Sequence, residues 1–159
     1  MVVLIRAFIY ASLFVGLALI LLPGAFLRSS GISRPSGFGL AQVAGVALAV
    51  LGGAVALSCV LFFAFVGRGT PAPFDPPRRL VTRGPYRLVR NPMYLGAGVV
   101  LAGAALYYGS AWLLGYVVVF GLAAHLFVRF YEEPTLLRTF GSEYEDYCRG
   151  VRRWWPGSG

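Results

Sequence analysis

A short run of polar side chains marks the point where a basic segment meets a long apolar one. Its members are Arg87, Arg90, Asn91 and Tyr94. Guanidinium groups bind carboxylates through paired hydrogen bonds, and a phenol can donate a further one. Asn91 followed by Pro92 is typical of a helix start, in which the asparagine side chain accepts hydrogen bonds from the first amides. The sequence therefore predicts a cationic cluster at the first turn of a helix.

A second polar group lies near the end of the last long apolar run. It consists of His125, Arg129, Glu132 and Glu133. This spacing places His125, Arg129 and at least one carboxylate on one helix face, and two adjacent carboxylates need cationic partners. Two interpretations stay open: an ion pair that only fixes the helix end, with the histidine bonded to a neighbouring helix, or a site for a zwitterionic ligand.

Gly96 and Gly98 follow the first polar cluster within the same apolar run. A glycine inside a helix costs about 1 kcal/mol relative to alanine. It also lets a backbone or a ligand come close. On its own this pair is weak support for a site, because glycine is common in membrane helices.

The composition predicts an all-α integral membrane protein. Hydrophobic residues make up 58% of the 159 residues, and the mean hydropathy is +0.72. Uncharged stretches cover Ala7 to Leu27, Pro35 to Gly67 and Asn91 to Val128, and each is long enough to cross a bilayer. The third is long enough for two helices, with a turn at Tyr107 to Ser110. We therefore expect four transmembrane helices.

The basic residues indicate which side of the membrane the loops face. All 14 are arginines, and the net charge is +8. Most lie between spans two and three or after span four, so the positive-inside rule predicts that both termini and the central loop are cytoplasmic. Anionic membrane lipids are the expected partners of these arginines, and nucleic acid is not. Cys59 and Cys148 offer neither a disulfide pair nor a metal-ligand spacing, so we expect no metal site.

Two segments around the spans have distinctive patterns. The 25 residues from Gly67 to Asn91 contain five prolines and predict a cytoplasmic functional loop. After span four, Pro134 predicts the start of an amphipathic helix that continues to Val151. The following Arg152 to Trp155 suit an interfacial anchor.

Span two also carries small residues at four-residue intervals. They are Ala41, Gly45, Ala49 and Gly53. Such a stripe allows another helix to approach closely. The partner is either another helix of the same chain or span two of a second copy, which makes a homodimer possible.

Two segments together carry a resemblance to a known family. The run GTPAPFDPPRRLVTRGPYRLVRNPMYLG and the later run EEPTLLRTFGSEYEDYCRGVRRWWP resemble the isoprenylcysteine carboxyl methyltransferase family and its bacterial relatives, which are similar to membrane phospholipid methyltransferases. The resemblance covers about 90 residues, from Gly67 to Pro156. It implies a methyltransferase core in residues 67–159, preceded by two helices in residues 1–66, in a bacterial inner membrane.

The resemblance also implies a cofactor, S-adenosylmethionine, and a set of residues that hold it. Carried over by position, these residues are Arg90, Asn91, Pro92, Tyr94, Gly96, Gly98, Glu132 and Glu133. Asn91 stands where the eukaryotic enzymes have histidine, which suggests a hydrogen-bonding role.

We expect each charged group to have its own task in methyl transfer. The two glutamates would hold the amino group or ribose hydroxyls of the cofactor, and Arg87, Arg90 or Tyr94 its carboxylate. Arg129, His125 or Arg153 would orient a lipophilic acceptor. The acceptor itself stays open between a prenylcysteine carboxylate, a phospholipid amine, a hydroxyl and a thiol. A nonenzymatic membrane scaffold is the alternative from another class.

Overall fold

The computed structural model describes residues 9, 15–29, 31, 35, 37–67 and 78–157, and this part of the chain contains helices and no strand. The α-helices are α1 (Leu22–Ser29), α2 (Leu40–Phe62), α3 (Pro92–Tyr108), α4 (Ala111–Phe127), α5 (Glu133–Phe140) and α6 (Ser142–Gly150). The π-helical segments are Val15–Leu21, Phe63–Gly67 and Val128–Glu132, and a 3-10 turn covers Gly84–Arg87. The prediction of an all-helical chain is confirmed for these residues.

Within the described residues, two helices are long and apolar enough to cross a membrane. One is Leu40–Gly67, formed by α2 and its π-helical end, and the other is Ala111–Phe140, in which α4 continues into α5. Two further apolar helices, Gly16–Ser29 and Pro92–Tyr108, are shorter. With 17 residues, α3 is about 26 Å long, slightly less than the hydrocarbon thickness of about 30 Å. The four-span topology stays a prediction, and most of the first half of span one lies outside the described residues.

The turn predicted between Tyr107 and Ser110 is confirmed. Gly109 ends α3 in the left-handed conformation with φ of 59°. Ser110 then caps α4, because its side-chain oxygen accepts a hydrogen bond from the amide of Leu113 at 3.3 Å. This tight connection makes α3 and α4 an antiparallel hairpin, so that the start of α3 and the end of α4 lie at the same end of the molecule.

Helices α2 and α3 cross in close contact at two pairs of glycines. A β-carbon on Gly52 would lie 2.5 Å from the carbonyl oxygen of Gly96, and one on Gly103 would lie 2.5 Å from that of Gly45. Both distances are too short for any side chain, so only glycine permits this approach. The small-residue stripe of span two therefore packs within the monomer at Gly45, and a homodimer stays a prediction.

The spacing of that stripe differs from the prediction in one respect. A β-carbon added to Gly53 would meet no other atom within 4 Å, whereas one added to the neighbouring Gly52 would collide with α3. The two close contacts on α2, at Gly45 and Gly52, are thus seven residues apart. Seven residues make almost two full helical turns, so this spacing keeps both glycines on the side of α2 that faces α3. The predicted four-residue spacing holds only from Gly45 to Ala49, both of which lie against Gly103.

The C-terminal helices also correct the sequence prediction. Pro134 lies in the first turn of α5, as predicted, but α5 continues directly from α4 and the π-helical segment, so that Ala111–Phe140 is one helical run. Because proline has no amide hydrogen and crowds the preceding turn, the helix widens just before it, and the Glu133 amide bonds to the carbonyl of Val128. The single amphipathic helix predicted from Pro134 onward is interrupted at Gly141, where φ is 53°, and α6 follows.

The glycine crossing leads to a prediction with a matched control. In Gly52→Ala, the new methyl group overlaps the Gly96 carbonyl, so the helices must separate, and we expect a loss of about 1–3 kcal/mol of unfolding free energy. In Gly53→Ala, the methyl group meets open space, and we expect no loss. Denaturant unfolding in detergent measures both variants. Equal stabilities would contradict the crossing.

Candidate active site

The two polar clusters meet at one end of the α3–α4 hairpin. Arg90, just before α3, and Glu133, at the start of α5, form an ion pair with 3.3 Å between Nη2 and Oε1. The side chains are only 14% and 16% exposed, so neither charge is well solvated by water. One of the two adjacent carboxylates thus has the cationic partner that the sequence analysis expects.

A third segment contributes to the same carboxylate. Arg153, in the tail after α6, binds Glu133 through both oxygens, with Nε at 2.8 Å from Oε1 and Nη2 at 2.6 Å from Oε2. This is the parallel, two-bond geometry that guanidinium and carboxylate groups favour. The hydrogen bonds to Glu133 raise the pKa of Arg153 above its usual range, so the tail arginine stays charged.

The neighbouring carboxylate has a different partner. Glu132 accepts a hydrogen bond from the hydroxyl of Tyr94 on α3, with 3.0 Å between the oxygen atoms. Glu133 is thus bound by two arginines, whereas Glu132 is bound by a neutral phenol and lines a cavity. The two adjacent glutamates therefore face different electrostatic surroundings.

The cavity beside Glu132 is small and has mixed polarity. Its volume is about 20 Å³, enough for one water molecule and too small for a nucleoside. It is lined by Phe63, Tyr86, Arg90, Asn91, Met93, Tyr94 and Glu132. Any larger ligand would have to move part of this lining.

The surroundings of Arg90 fit an additional hydrogen-bonding ligand. Its Nε atom is buried and has no hydrogen-bond partner among the described residues. An unsatisfied buried donor of this kind costs about 1–3 kcal/mol, so an acceptor supplied there would be stabilising. Together with the Glu132 carboxylate, the site offers one donor for an anionic group and one acceptor for a cationic group.

Asn91 begins α3 as predicted, but its side chain makes a different bond. It does not cap the helix; its Nδ2 donates to the backbone carbonyl of Arg153 at 3.3 Å. The amide of Arg90 likewise donates to the carbonyl of Arg152 at 2.9 Å. Asn91 and Pro92 are both buried, so the start of α3 is a docking surface for the tail.

His125 is bonded to the tail as well. Its Nδ1 accepts a hydrogen bond from the indole Nε1 of Trp154 at 3.0 Å. His125 is thus hydrogen-bonded, as one interpretation expects, but its partner belongs to the tail and not to a neighbouring helix. The predicted interfacial anchor is divided: Trp154 faces the protein, whereas Trp155 is 76% exposed.

Four predicted site residues are not brought into this cluster. Arg87 is exposed at the end of its 3-10 turn, and Arg129 is exposed with its guanidinium 5.6 Å from the centre of the Phe130 ring. Gly96 faces Gly52 of α2, and Gly98 faces open space. Their predicted roles in binding or catalysis receive no support from these positions.

Several residues that contact the site were not among those predicted from the sequence. Tyr147 donates from its hydroxyl to the carbonyl of Tyr86 at 2.7 Å. Cys148, for which the sequence predicted neither a disulfide nor a metal, contacts the Nη1 of Arg90. Tyr86 is buried against Phe63, with their rings edge to face at 5.5 Å. No spacing rule connects Phe63 with Glu132, which lies 69 residues later in the chain.

Comparison with known proteins gives the class of protein. The family model described as phospholipid methyltransferase matches residues 40–143, more than half of the chain. The chain belongs to the phospholipid methyltransferase family, which is related to the isoprenylcysteine carboxyl methyltransferases. The matched region contains Arg90, Tyr94 and both glutamates but ends before Arg153. No curated protein and no solved structure matches the chain.

The unequal surroundings of the two glutamates predict unequal effects on stability. Glu133→Gln leaves two partly buried guanidinium groups without a counter-charge, so we expect a loss of about 1–3 kcal/mol of unfolding free energy. Glu132→Gln keeps an oxygen that can accept from Tyr94, so we expect a much smaller loss. Thermal unfolding of both variants in the same detergent tests this. A Glu132 variant that is the less stable of the two would contradict the assignment of partners.

Proposed function

We propose that this protein is an S-adenosylmethionine-dependent methyltransferase that methylates the headgroup amine of a phospholipid at the cytoplasmic face of a bacterial inner membrane. The observation that carries the proposal is the convergence of Arg90, Tyr94 and Glu132 around one cavity at the end of an apolar hairpin. Membership of a phospholipid methyltransferase family supports the reaction class.

The donor set suits the amino-acid end of S-adenosylmethionine. That end carries an ammonium and a carboxylate, and the cofactor supplies a methyl group already activated on a sulfonium. The Glu132 carboxylate would hold the ammonium, and the buried Nε of Arg90 would donate to the carboxylate. Glu133 would contribute indirectly, by fixing the guanidinium of Arg90.

What the protein must supply is alignment and the exclusion of water. Phe63 and Met93 give the cavity an apolar wall, which would keep water from the reacting atoms. A phospholipid amine must also lose a proton before or during attack. Because Glu132 would be paired with the ammonium of the donor, the amine would lose this proton to water at the membrane surface before it enters the cavity.

The position of the site supports a lipid acceptor. Glu132 and Glu133 lie within Ala111–Phe140, close to one end of a membrane-length helix. Exposed arginines, including Arg83, Arg87 and Arg129, lie near the same end. By the positive-inside rule, this arrangement favours the cytoplasmic side, where the donor is made available in water and the acceptor in the bilayer.

Calorimetric titration with S-adenosylmethionine tests the cofactor part of the proposal. We expect saturable binding to the purified protein in detergent. Glu132→Gln removes the counter-charge for the ammonium and should weaken binding at least about tenfold while the protein stays folded. Glu145→Gln, on the exposed side of α6, is the control and should bind normally. Wild-type protein that gives no heat and no thermal shift would contradict the enzyme assignment and favour the scaffold.

A panel of acceptors tests the substrate class. With a methyl-labelled donor, we expect phosphatidylethanolamine to be labelled faster than a prenylcysteine carboxylate or a lipophilic thiol. At a donor concentration below the wild-type Kd, Glu132→Gln should slow labelling at least about tenfold, and Glu145→Gln should not. Labelling confined to the prenylcysteine would contradict the amine acceptor and assign the protein to the carboxylate-methylating branch.

A further inference from the structure

The segment after α6 holds together the two halves of the candidate site. We propose that His125 and Trp154 are positioning residues: their hydrogen bond fixes the tail so that Arg153 stays on Glu133 and Glu133 in turn holds Arg90. The catalytic consequences rest on the proposed function, whereas the fixing of the tail does not.

The tail contacts both sides of the site within three consecutive residues. Arg152 accepts from the Arg90 amide through its carbonyl, and the carbonyl of Arg153 accepts from Asn91. These bonds tie the tail backbone to the start of α3. The Arg153 side chain and the Trp154 indole reach the other side, where they bind Glu133 and His125.

The tail needs such contacts because it has no regular structure of its own. Helix α6 ends at Gly150, and residues 151–157 form bends without a helix or a strand. An arginine side chain loses about 1.5–2 kcal/mol of rotamer entropy when it is fixed. The indole of the neighbouring Trp154 is a rigid ring that is partly buried. Its N–H donates a hydrogen bond to His125 Nδ1, with 3.0 Å between the nitrogen atoms. Fixing Trp154 therefore restricts Arg153 before the arginine pairs with Glu133.

The geometry gives His125 a task different from the one expected from sequence. Nδ1 accepts the hydrogen bond from the Trp154 indole, so this nitrogen is not available to a methyl acceptor. The nitrogen facing the tail is therefore occupied by a hydrogen bond. An effect of His125 on methyl transfer would pass through Trp154 and Arg153 to the cofactor site, and it would appear in cofactor affinity before it appears in the chemical step.

A pair of tryptophan variants tests the positioning role. Trp154→Phe keeps an aromatic ring and removes the N–H, whereas Trp155→Phe changes the exposed neighbour and serves as the control. Hydrogen exchange of the Arg90 amide reports tail docking directly, because this amide donates to Arg152. We expect its exchange in the ligand-free protein to rise about tenfold in Trp154→Phe and to stay unchanged in Trp155→Phe. Equal exchange in the two variants would overturn the proposal.

Kinetics separate positioning from general loss of structure. We expect Trp154→Phe to raise the KM for S-adenosylmethionine about tenfold and to change kcat less than threefold, with no change in the KM for the lipid. A variant in which kcat falls and the cofactor KM stays the same would contradict positioning.

Two histidine variants distinguish the hydrogen bond from packing. His125→Leu removes the acceptor and should reproduce the exchange and KM changes of Trp154→Phe. His125→Asn places an amide oxygen near the position of Nδ1 and should restore most of both. A histidine that orients the acceptor directly would instead change the lipid KM in both variants, and Trp154→Phe would not reproduce that change. This result would overturn the proposal.

The exchange measurement also separates this proposal from the proposed function. It uses protein without ligand, so a wild-type protein that does not bind S-adenosylmethionine would contradict the proposed function and leave the exchange test of the tail intact. Conversely, normal cofactor binding together with unchanged exchange in Trp154→Phe would overturn only the positioning role.

Discussion

The structure around the site depends on one carboxylate held by two arginines. Glu133 binds Arg90 at the start of α3 and Arg153 in the tail, so it joins three segments that are distant in the sequence. A carboxylate at the end of a membrane-length helix is costly to remove from water, and two guanidinium groups offset that cost. The same arrangement separates the roles of the adjacent glutamates: Glu133 organises the site, and Glu132 faces the cavity. We therefore infer that Glu132 is the one that meets a ligand.

The helices bring these groups together through two local features of the sequence. The Gly109-Ser110 turn returns the chain, so that the end of α4 comes back beside the start of α3. Pro134 then widens the preceding turn, and the Glu133 amide bonds to Val128 where a regular helix would use Arg129. The wide turn rotates the side chains that follow it around the helix axis relative to those that precede it. Glu132 and Glu133 therefore face Tyr94 and Arg90, whereas Arg129 remains outside the cluster.

Much of this organisation could be predicted from the sequence because it depends on local rules. The uncharged runs predicted the apolar helices, and Gly109-Ser110 within the third run predicted the turn. The two adjacent carboxylates predicted nearby cationic partners. The site set carried by the family resemblance contained Arg90, Tyr94, Glu132 and Glu133, which the structure brings together. The errors concern nonlocal contacts: the Asn91 side chain binds the tail and does not cap its own helix, and Gly96 packs on a helix about 40 residues earlier. No spacing rule could connect Trp154 with His125.

A structure of the protein with S-adenosylhomocysteine, the product of the donor after methyl transfer, tests the central claim most directly. The account predicts that its ammonium lies against Glu132, that its carboxylate is within hydrogen-bonding distance of Arg90 Nε, and that Glu133 keeps both arginines. The account would be contradicted if S-adenosylhomocysteine bound elsewhere on the molecule. It would also be contradicted if the ammonium lay beyond hydrogen-bonding distance of Glu132 and the carboxylate beyond that of Arg90.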